Sequence, residues 1–379
     1  MPGGRVPESL SRPAVRVGLY GTGAFGRFVL ESLSDSPNLK VEALANRTPA
    51  RGATVAQAYG IERRYDTYEE LLADGALEAI IIATPPADHG PAALAAIAAG
   101  KHVFVEKPLA TTLEEADRIM AAAEAAQRRV AVDYPLMYTP LVEGLRQFRK
   151  SQLCGKLLRI SIENIASCDG LDDDHWFWNK ELSGGIFVEH GVHFFDWCGA
   201  LTADPLQVSA LTFLNGKRED RVFAAVKHAG GELATYYHAF VTTPKNERTR
   251  AVISFESVDI VVDGWVPLTM RLFGPAAAVG TTTIRRMLDR SVESIPDAAA
   301  GFAFSVGEKQ QAYGRGVRAA AEDFARSVRD PNYVARNDAT RAYTSLRVAV
   351  AAREAAESGV TQSLAEPAAH VAMGNRTSA

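Results

Sequence analysis

From Val15 onward, short apolar runs alternate with stretches in which apolar residues recur every three or four positions, the rhythm of strands and helices taken in turn. VRVGLY reads as a short buried strand running into a Gly-rich turn, followed by a helix from about Phe25 to Leu33. VEALA is a second strand, 49–59 an Ala-rich helix, LEAIIIAT a central strand, and PAALAAIAAG a helix ended by Gly100. KHVFVEKP, the helix LEEADRIMAAAEAAQ and the strand RRVAVDY continue the series. Strands and helices joined by short connections predict a parallel, doubly wound sheet that closes near Tyr134.

The rhythm then changes. An amphipathic helix over about 140–150 precedes LLRISIENI, VSALTFL, RVFAAVKHAG, ATYYHAFVTT, RAVISFESVDIVVDG and TMRLFG, several of which alternate as a sheet covered on one face does. Helical stretches at about 317–328 and 339–357 come last. The expectation is an α/β chain whose second unit is an α/β domain with a large, mostly antiparallel open sheet. It spans 136–365, with a disordered tail at 366–379.

Composition narrows the function. A chain of 379 residues with 47% hydrophobic content can bury two cores. Its 41 basic and 45 acidic residues are mixed along the sequence, with no basic block to neutralise a phosphate backbone, so nucleic acid is not an expected partner. MPGGRVPESLSRPAV lacks the apolar run of a signal peptide, and no segment approaches about 18 uninterrupted apolar residues. A cytoplasmic protein without membrane contact is expected. Cys154, Cys168 and Cys198 form no CxxC pair and are read as reduced packing residues.

Gly21-Thr22-Gly23-Ala24-Phe25-Gly26 fits G-x-G-x-x-G and stands between a strand and a helix, the context in which the pattern has meaning. Gly21 would permit the tight turn, Gly23 the approach of a pyrophosphate, and Gly26 close helix–strand packing, while the helix N-terminus faces the anion. Residues 14–135 are therefore read as a Rossmann dinucleotide-binding domain. At the end of the second strand, where an NAD site usually has Asp or Glu for the ribose 2′-hydroxyl, the sequence is Ala45-Asn46-Arg47-Thr48. Arg47, with Arg51 one turn on, could pair with a 2′-phosphate, which favours NADP. The alternative is NAD, with Asn46 on the ribose hydroxyls and Arg47 over the adenine.

EHGVHFFD, residues 189–196, gathers two histidines and two carboxylates. Read as a helix, Glu189, His193 and Asp196 share one face at i, i+4, i+7 and could converge on one ligand. Acid–base catalysis and a metal site completed by Asp172, Asp173 or Asp174 both remain open from the residues alone. No second motif supports a metal.

IIIATPPADHGPAALAAIAAGKHVFVEKPLATTLEEA resembles the corresponding stretch of the Gfo/Idh/MocA oxidoreductases, the glucose-fructose oxidoreductase and inositol dehydrogenase family. Glu106-Lys107-Pro108 stands where that family has E-K-P, and Thr84-Pro85-Pro86 with His89 matches T-P-x-x-x-H. SGGIFVEHGVHFFD is similar to G-G-G-x-x-x-D-x-G-x-H-x-x-D. The resemblance implies hydride transfer between a nicotinamide and a carbinol or carbonyl carbon of a sugar, inositol or related polyol, without a metal. It implies His193 as acid/base, Lys107 as its electrostatic partner and Glu189 as orienting carboxylate, with the Thr84-Pro85-Pro86, His89 and Glu106-Lys107 segments at the cofactor. Homo-oligomers, dimer or tetramer, through the open face of the second sheet are also implied.

Two positions depart from the family pattern: Glu189 replaces Asp, and in VDYPLMYTP, similar to V-G-x-x-x-R-F-x-P, Met137 replaces Arg. Candidates for substrate contact are Tyr134, Trp176, Trp178, His190, His193 and His238, because aromatic faces stack on the C–H surfaces of sugars. Two rival readings are a non-catalytic dinucleotide sensor or partner-binding protein and an NAD-dependent glycosidase.

Overall fold

A computed structural model describes residues 13–364, so the tail expected to be disordered lies outside the described residues. The first sheet has six strands among the described residues: β1 (Val15–Tyr20), β2 (Leu39–Ala45), β3 (Arg63–Tyr65), β4 (Ala79–Ile82), β5 (His102–Glu106) and β6 (Val130–Asp133). All pair parallel in the order β3-β2-β1-β4-β5-β6, so the doubly wound expectation is met. Helices α1 (Ala24–Leu33), α2 (Pro49–Tyr59), α3 (Tyr68–Ala73), α4 (His89–Ala98) and α5 (Leu113–Ala126) connect them. Their ends follow local chemistry. Pro49 enters the first turn of α2 and Gly60 ends it at φ 66°; Thr67 and Glu70 form a capping box on α3; Thr112 caps α5.

After α6 (Pro140–Ser151) come, among the described residues, ten strands of a second sheet: β7 (Leu157–Ser167), β8 (Pro205–Asn215), β9 (Arg218–His228), β10 (Leu233–Thr242), β11 (Arg248–Phe255), β12 (Asp259–Asp263), β13 (Thr269–Phe273), β14 (Glu293–Asp297), β15 (Gly301–Ser305) and β16 (Gln362–Ser363). Their order is β14-β15-β13-β12-β11-β7-β10-β9-β8-β16, antiparallel apart from the β7–β10 pair. The sheet is thus mixed and mostly antiparallel, as expected. The intervening helices are α7 (Lys180–Ser183), α8 (Val192–Gly199), α9 (Ala277–Met287), α10 (Lys309–Arg329) and α11 (Ala339–Ser358).

One helix does not stay with the unit to which its chain position assigns it. α10 lies on the first sheet: Val317, Ala320, Ala321, Phe324 and Ala325 join Val17 and Leu19 of β1, Val29 and Leu33 of α1, and Phe104 of β5 in a single buried cluster. It fills the place beside α1 and α2 that no helix from the described residues 13–135 occupies. β6, the edge strand, is covered too, because Val132 exchanges two hydrogen bonds with Asn337 just before α11.

Candidate active site

The Gly-rich turn joins β1 to α1 and is shaped by close backbone contacts. Gly21 sits at φ 98°, and a Cβ there would meet the Ala83 carbonyl oxygen at 2.4 Å; a Cβ at Gly26 would lie 2.1 Å from the Gly21 carbonyl oxygen. In contrast, a Cβ at Gly23 would meet nothing within 4 Å, so open space lies above the start of α1. No side chain caps that helix and its first turn has no acidic residue, leaving the N–H groups around Ala24 and Phe25 free for an anion. The Thr22 and Thr84 hydroxyls are buried without a partner among the described residues. A glycine cradle, uncapped N–H donors and two orphan hydroxyls fit a dinucleotide pyrophosphate.

Asn46, at the end of β2, accepts a hydrogen bond from the Thr22 N–H at 3.0 Å and donates to the Thr48 carbonyl at 3.0 Å. It braces the turn and keeps one N–H for a ribose. Arg47 is 79% exposed, with Asp88 3.8 Å away, and Arg51 is exposed. Pro85 and Pro86 form the turn after β4. His89 differs from its expected place at the cofactor. It is fully buried, with Nδ1 2.7 Å from the Pro108 carbonyl and Nε2 2.8 Å from the Thr84 carbonyl, and so ties the two loops together from beneath.

Lys107 follows β5, joined to Pro108 by a cis peptide bond. Its ammonium donates to Glu189 Oε1 at 2.6 Å and to the Glu189 carbonyl at 2.8 Å, with Glu106 Oε1 4.0 Å away. This contact links the loop after β5 to the second unit, and Lys107 is only 8% exposed. Burial works against the ammonium, but Glu189 and Glu106 outweigh it and hold its pKa above the ordinary value. Glu106 is pushed up to about 8, chiefly by burial. Asp133, at the end of β6, is raised well above a normal carboxylate by burial and by Glu106.

EHGVHFFD is not one regular helix. Phe187–Gly191 forms a π-helical turn that passes into α8 at Val192. The wider turn separates the three residues expected on one face. Glu189 goes to Lys107, His193 lies between Tyr134, His190 and Trp265, and Asp196 turns away to accept from Arg341 Nε at 2.8 Å. The π turn and the half-buried Arg341 thus explain why the i, i+4, i+7 convergence fails. No group of three or more His, Cys, Asp or Glu among the described residues could hold a metal ion.

His193 is 2% exposed, and burial first, then Lys107, His190 and His238, keep its pKa well below the usual histidine value. It is neutral, with Nδ1 unpartnered among the described residues. His190 is likewise pushed down to about 3 by burial and Lys107. Asn164 donates through Nδ2 to Thr249 Oγ1 at 2.7 Å, which leaves its Oδ1 to accept from His190 Nε2 at 2.8 Å. Beside His190 opens a cavity of about 500 Å³ lined in part by Asn164, Phe240, Thr249, Trp265 and Lys309.

Four further expected substrate contacts do not line this cavity. His238 is fully buried in the sheet, 4.8 Å from the Phe194 ring and 5.4 Å from His190. Tyr134 is 1% exposed and meets His193 edge-on at 6.4 Å, supporting it from below. Trp176 and Trp178 do not line the cavity. Trp178 donates to the Leu171 carbonyl and carries Arg218 over its face at 5.1 Å, and both indoles pack on Phe177. Trp265, Tyr313 and Asn164 have no local sequence signal and come to the site only through the fold.

Comparison with known proteins follows the same outline. The model of an oxidoreductase family with an NAD-binding Rossmann fold matches residues 15–134, and that of a GFO/IDH/MocA C-terminal domain matches 142–260. An uncharacterized oxidoreductase of Rhizobium meliloti is 31% identical over 180 residues, 47% of this chain and 53% of its own. A 1,5-anhydro-D-fructose reductase of Ensifer adhaerens is 27% identical over 232 residues, covering 60% of this chain and 70% of the relative. D-xylose 1-dehydrogenase (NADP(+)) 2 of Haloferax volcanii is 29% identical over 196 residues, 52% of this chain and 59% of that one. The chain therefore spans about half the length of several curated relatives it matches. Among solved structures, levoglucosan dehydrogenase in complex with NADH and levoglucosan aligns at a TM-score of 0.79, with 19% identity, over 93% of this chain and 100% of that one. The WlbA dehydrogenase of Bordetella pertussis, with NADH and UDP-GlcNAcA, aligns at 0.78 with 20% identity, over 94% and 99%.

Proposed function

The chain belongs to the Gfo/Idh/MocA family of oxidoreductases, and from that premise we propose that it moves hydride between NAD(P) and a carbinol or carbonyl carbon of a sugar, inositol or related polyhydroxylated substrate. The observation that carries this reading is the contact of Lys107 with Glu189 at 2.6 Å, beside a neutral, buried His193. The Gly21–Gly26 turn, Thr22, Thr84, Pro85 and Pro86 would hold the dinucleotide, which when bound supplies the hydride acceptor or donor. His193, being neutral, takes the hydroxyl proton during oxidation and returns it during reduction. Lys107, held protonated, hydrogen-bonds the reacting oxygen and offsets its developing negative charge. Glu189 fixes the ammonium through two acceptor oxygens. The polar wall of Asn164, His190 and Thr249 offers hydrogen-bonding groups to a hydroxylated substrate.

Lys107→Met should leave cofactor affinity nearly unchanged and lower turnover by about 10²-fold or more, scaled to the loss of one preorganised donor. Unchanged turnover with an active substrate from a panel of polyols, aldoses and keto-sugars would overturn the assignment. For the cofactor we favour NADP, supported by exposed Arg47 and Arg51 and by the lack of a carboxylate at the end of β2; Asp88 beside Arg47 weighs against it. Titration with NADPH and NADH decides the matter, and tighter NADH binding would reverse the preference. We also propose a homo-oligomer, dimer or tetramer, through the open face of the second sheet, where Leu211, Phe213, Leu233 and Val241 are 57%, 40%, 45% and 47% exposed. Light scattering of the protein and of Leu211→Glu tests it; a wild-type monomer refutes it. No helix among the described residues is long and apolar enough to cross a membrane. A cytoplasmic location is part of the same proposal.

A further inference from the structure

Glu106 and Asp133 are the last residues of neighbouring parallel strands, paired in register. Register partners point to the same face, with strand axes about 4.8 Å apart, so the two carboxyl groups stand side by side at the carboxyl end of the sheet. Asp133 is 1% exposed, and neither of its oxygens, nor Oε2 of Glu106, has a hydrogen-bond partner among the described residues. Lys107 is the cation that acts on both, but its ammonium is already bound to Glu189 at 2.6 Å and lies 4.0 Å from Glu106. The other titratable groups around them are neutral. His193 and His190 come from the π turn and α8, Tyr134 follows β6, and Tyr313 comes from α10. The cluster therefore holds three carboxyl groups and one ammonium.

With the Lys107 ammonium bound to Glu189 at 2.6 Å, two adjacent carboxyl groups remain in a dry site, and two such neighbours do not both ionise. We infer that Glu106 and Asp133 hold one proton between them in the cofactor-free protein and release it to solvent when an oxidised nicotinamide binds. The inference rests on the oxidoreductase reading above. In open α/β sheets ligands bind outside the carboxyl ends of the strands, where this pair sits. The oxidised ring is cationic and the reduced ring neutral. A positive charge within about 4–6 Å lowers a carboxyl pKa by about 1–3 units, so only the oxidised form drives the proton out. Asp133 thereby makes cofactor binding depend on pH in one redox state only, and affinity for the oxidised form should rise up to about tenfold per pH unit below the pair's titration.

Calorimetric titration at pH 7 with oxidised and with reduced cofactor, each in two buffers of different ionisation enthalpy, counts the protons. Release of about one half to one proton is expected with the oxidised form and close to none with the reduced form. Asp133→Asn takes away the neighbouring carboxyl while keeping the side-chain shape, and should reduce the release. Equal release by wild type and variant, or none by wild type, overturns the inference. Should Asp133→Asn fail to fold, the infrared difference spectrum of wild type carries the test. A protonated-carboxyl C=O band must disappear on adding oxidised but not reduced cofactor, and its persistence refutes the idea. Binding without proton release defeats this inference alone, whereas no binding of either cofactor defeats the oxidoreductase reading with it.

Discussion

Glu189 shows what one methylene does at this site. Its side chain is long enough for the carboxylate to meet the Lys107 ammonium while its own carbonyl accepts a second hydrogen bond from the same nitrogen. The departure from Asp therefore still leaves a carboxylate on Lys107. Shortening it should separate the pair: Glu189→Asp is expected to keep cofactor affinity and lower kcat by about ten- to a hundredfold, in line with the cost of about 1 Å of misplacement. Steady-state kinetics beside a cofactor titration checks this. An unchanged kcat would remove Glu189 from the positioning role. Lys107, Glu189 and His193 were legible in the sequence because they sit in short motifs at fixed spacing. Trp265 and Asn164 were not, because a loop residue and a mid-strand residue acquire neighbours only when β7, β12 and the π turn come together.

At the scale of elements, the parallel strands were readable as unbroken apolar runs. The hairpin of β14 and β15 was not, because ESIPD is nearly all exposed and contains a proline, so no alternation marks it. α10 begins eight residues before the apolar pattern that announced it at Val317. Its first turns are polar and contain Gly316, where a Cβ would come within 2.7 Å of the Pro135 carbonyl oxygen. Close approach to the neighbouring turn, rather than helix propensity, sets the residue there. The turn between β1 and α1 is equally tight. Gly26→Ala should weaken cofactor binding at least tenfold, because the new Cβ cannot coexist with the Gly21 carbonyl. Fluorescence titration of reduced cofactor reads the loss, and wild-type affinity would contradict the packing argument.

For the whole molecule, buried titratable groups set a pH window. His89, His190, His193 and His238 have folded pKa values below the unfolded value of about 6.5. Their stability is complete above that pH and is lost as pH falls toward the folded values, about 3 for His190. Glu106 and Asp133 are raised instead. Their stability is complete below the unfolded carboxylate range and is lost as pH rises, for Glu106 through about 8. The melting temperature should therefore be highest near pH 6.5, and Asp133→Asn should flatten the alkaline limb. Thermal scans from pH 4 to 9 test both statements, and a maximum above pH 8 would contradict them.

α10 carries a further consequence, one that concerns time rather than space. Domains of a growing chain generally fold as units, the N-terminal one first. Here the first sheet waits for residues 309–329 to cover the face formed by Val17, Leu19 and Phe104. When residue 135 leaves the ribosome, that face has two of its helices and lacks the third, so an apolar strip stays open while the entire second sheet is made. A chain released before α10 is complete should be aggregation-prone even though every strand of its first sheet is present.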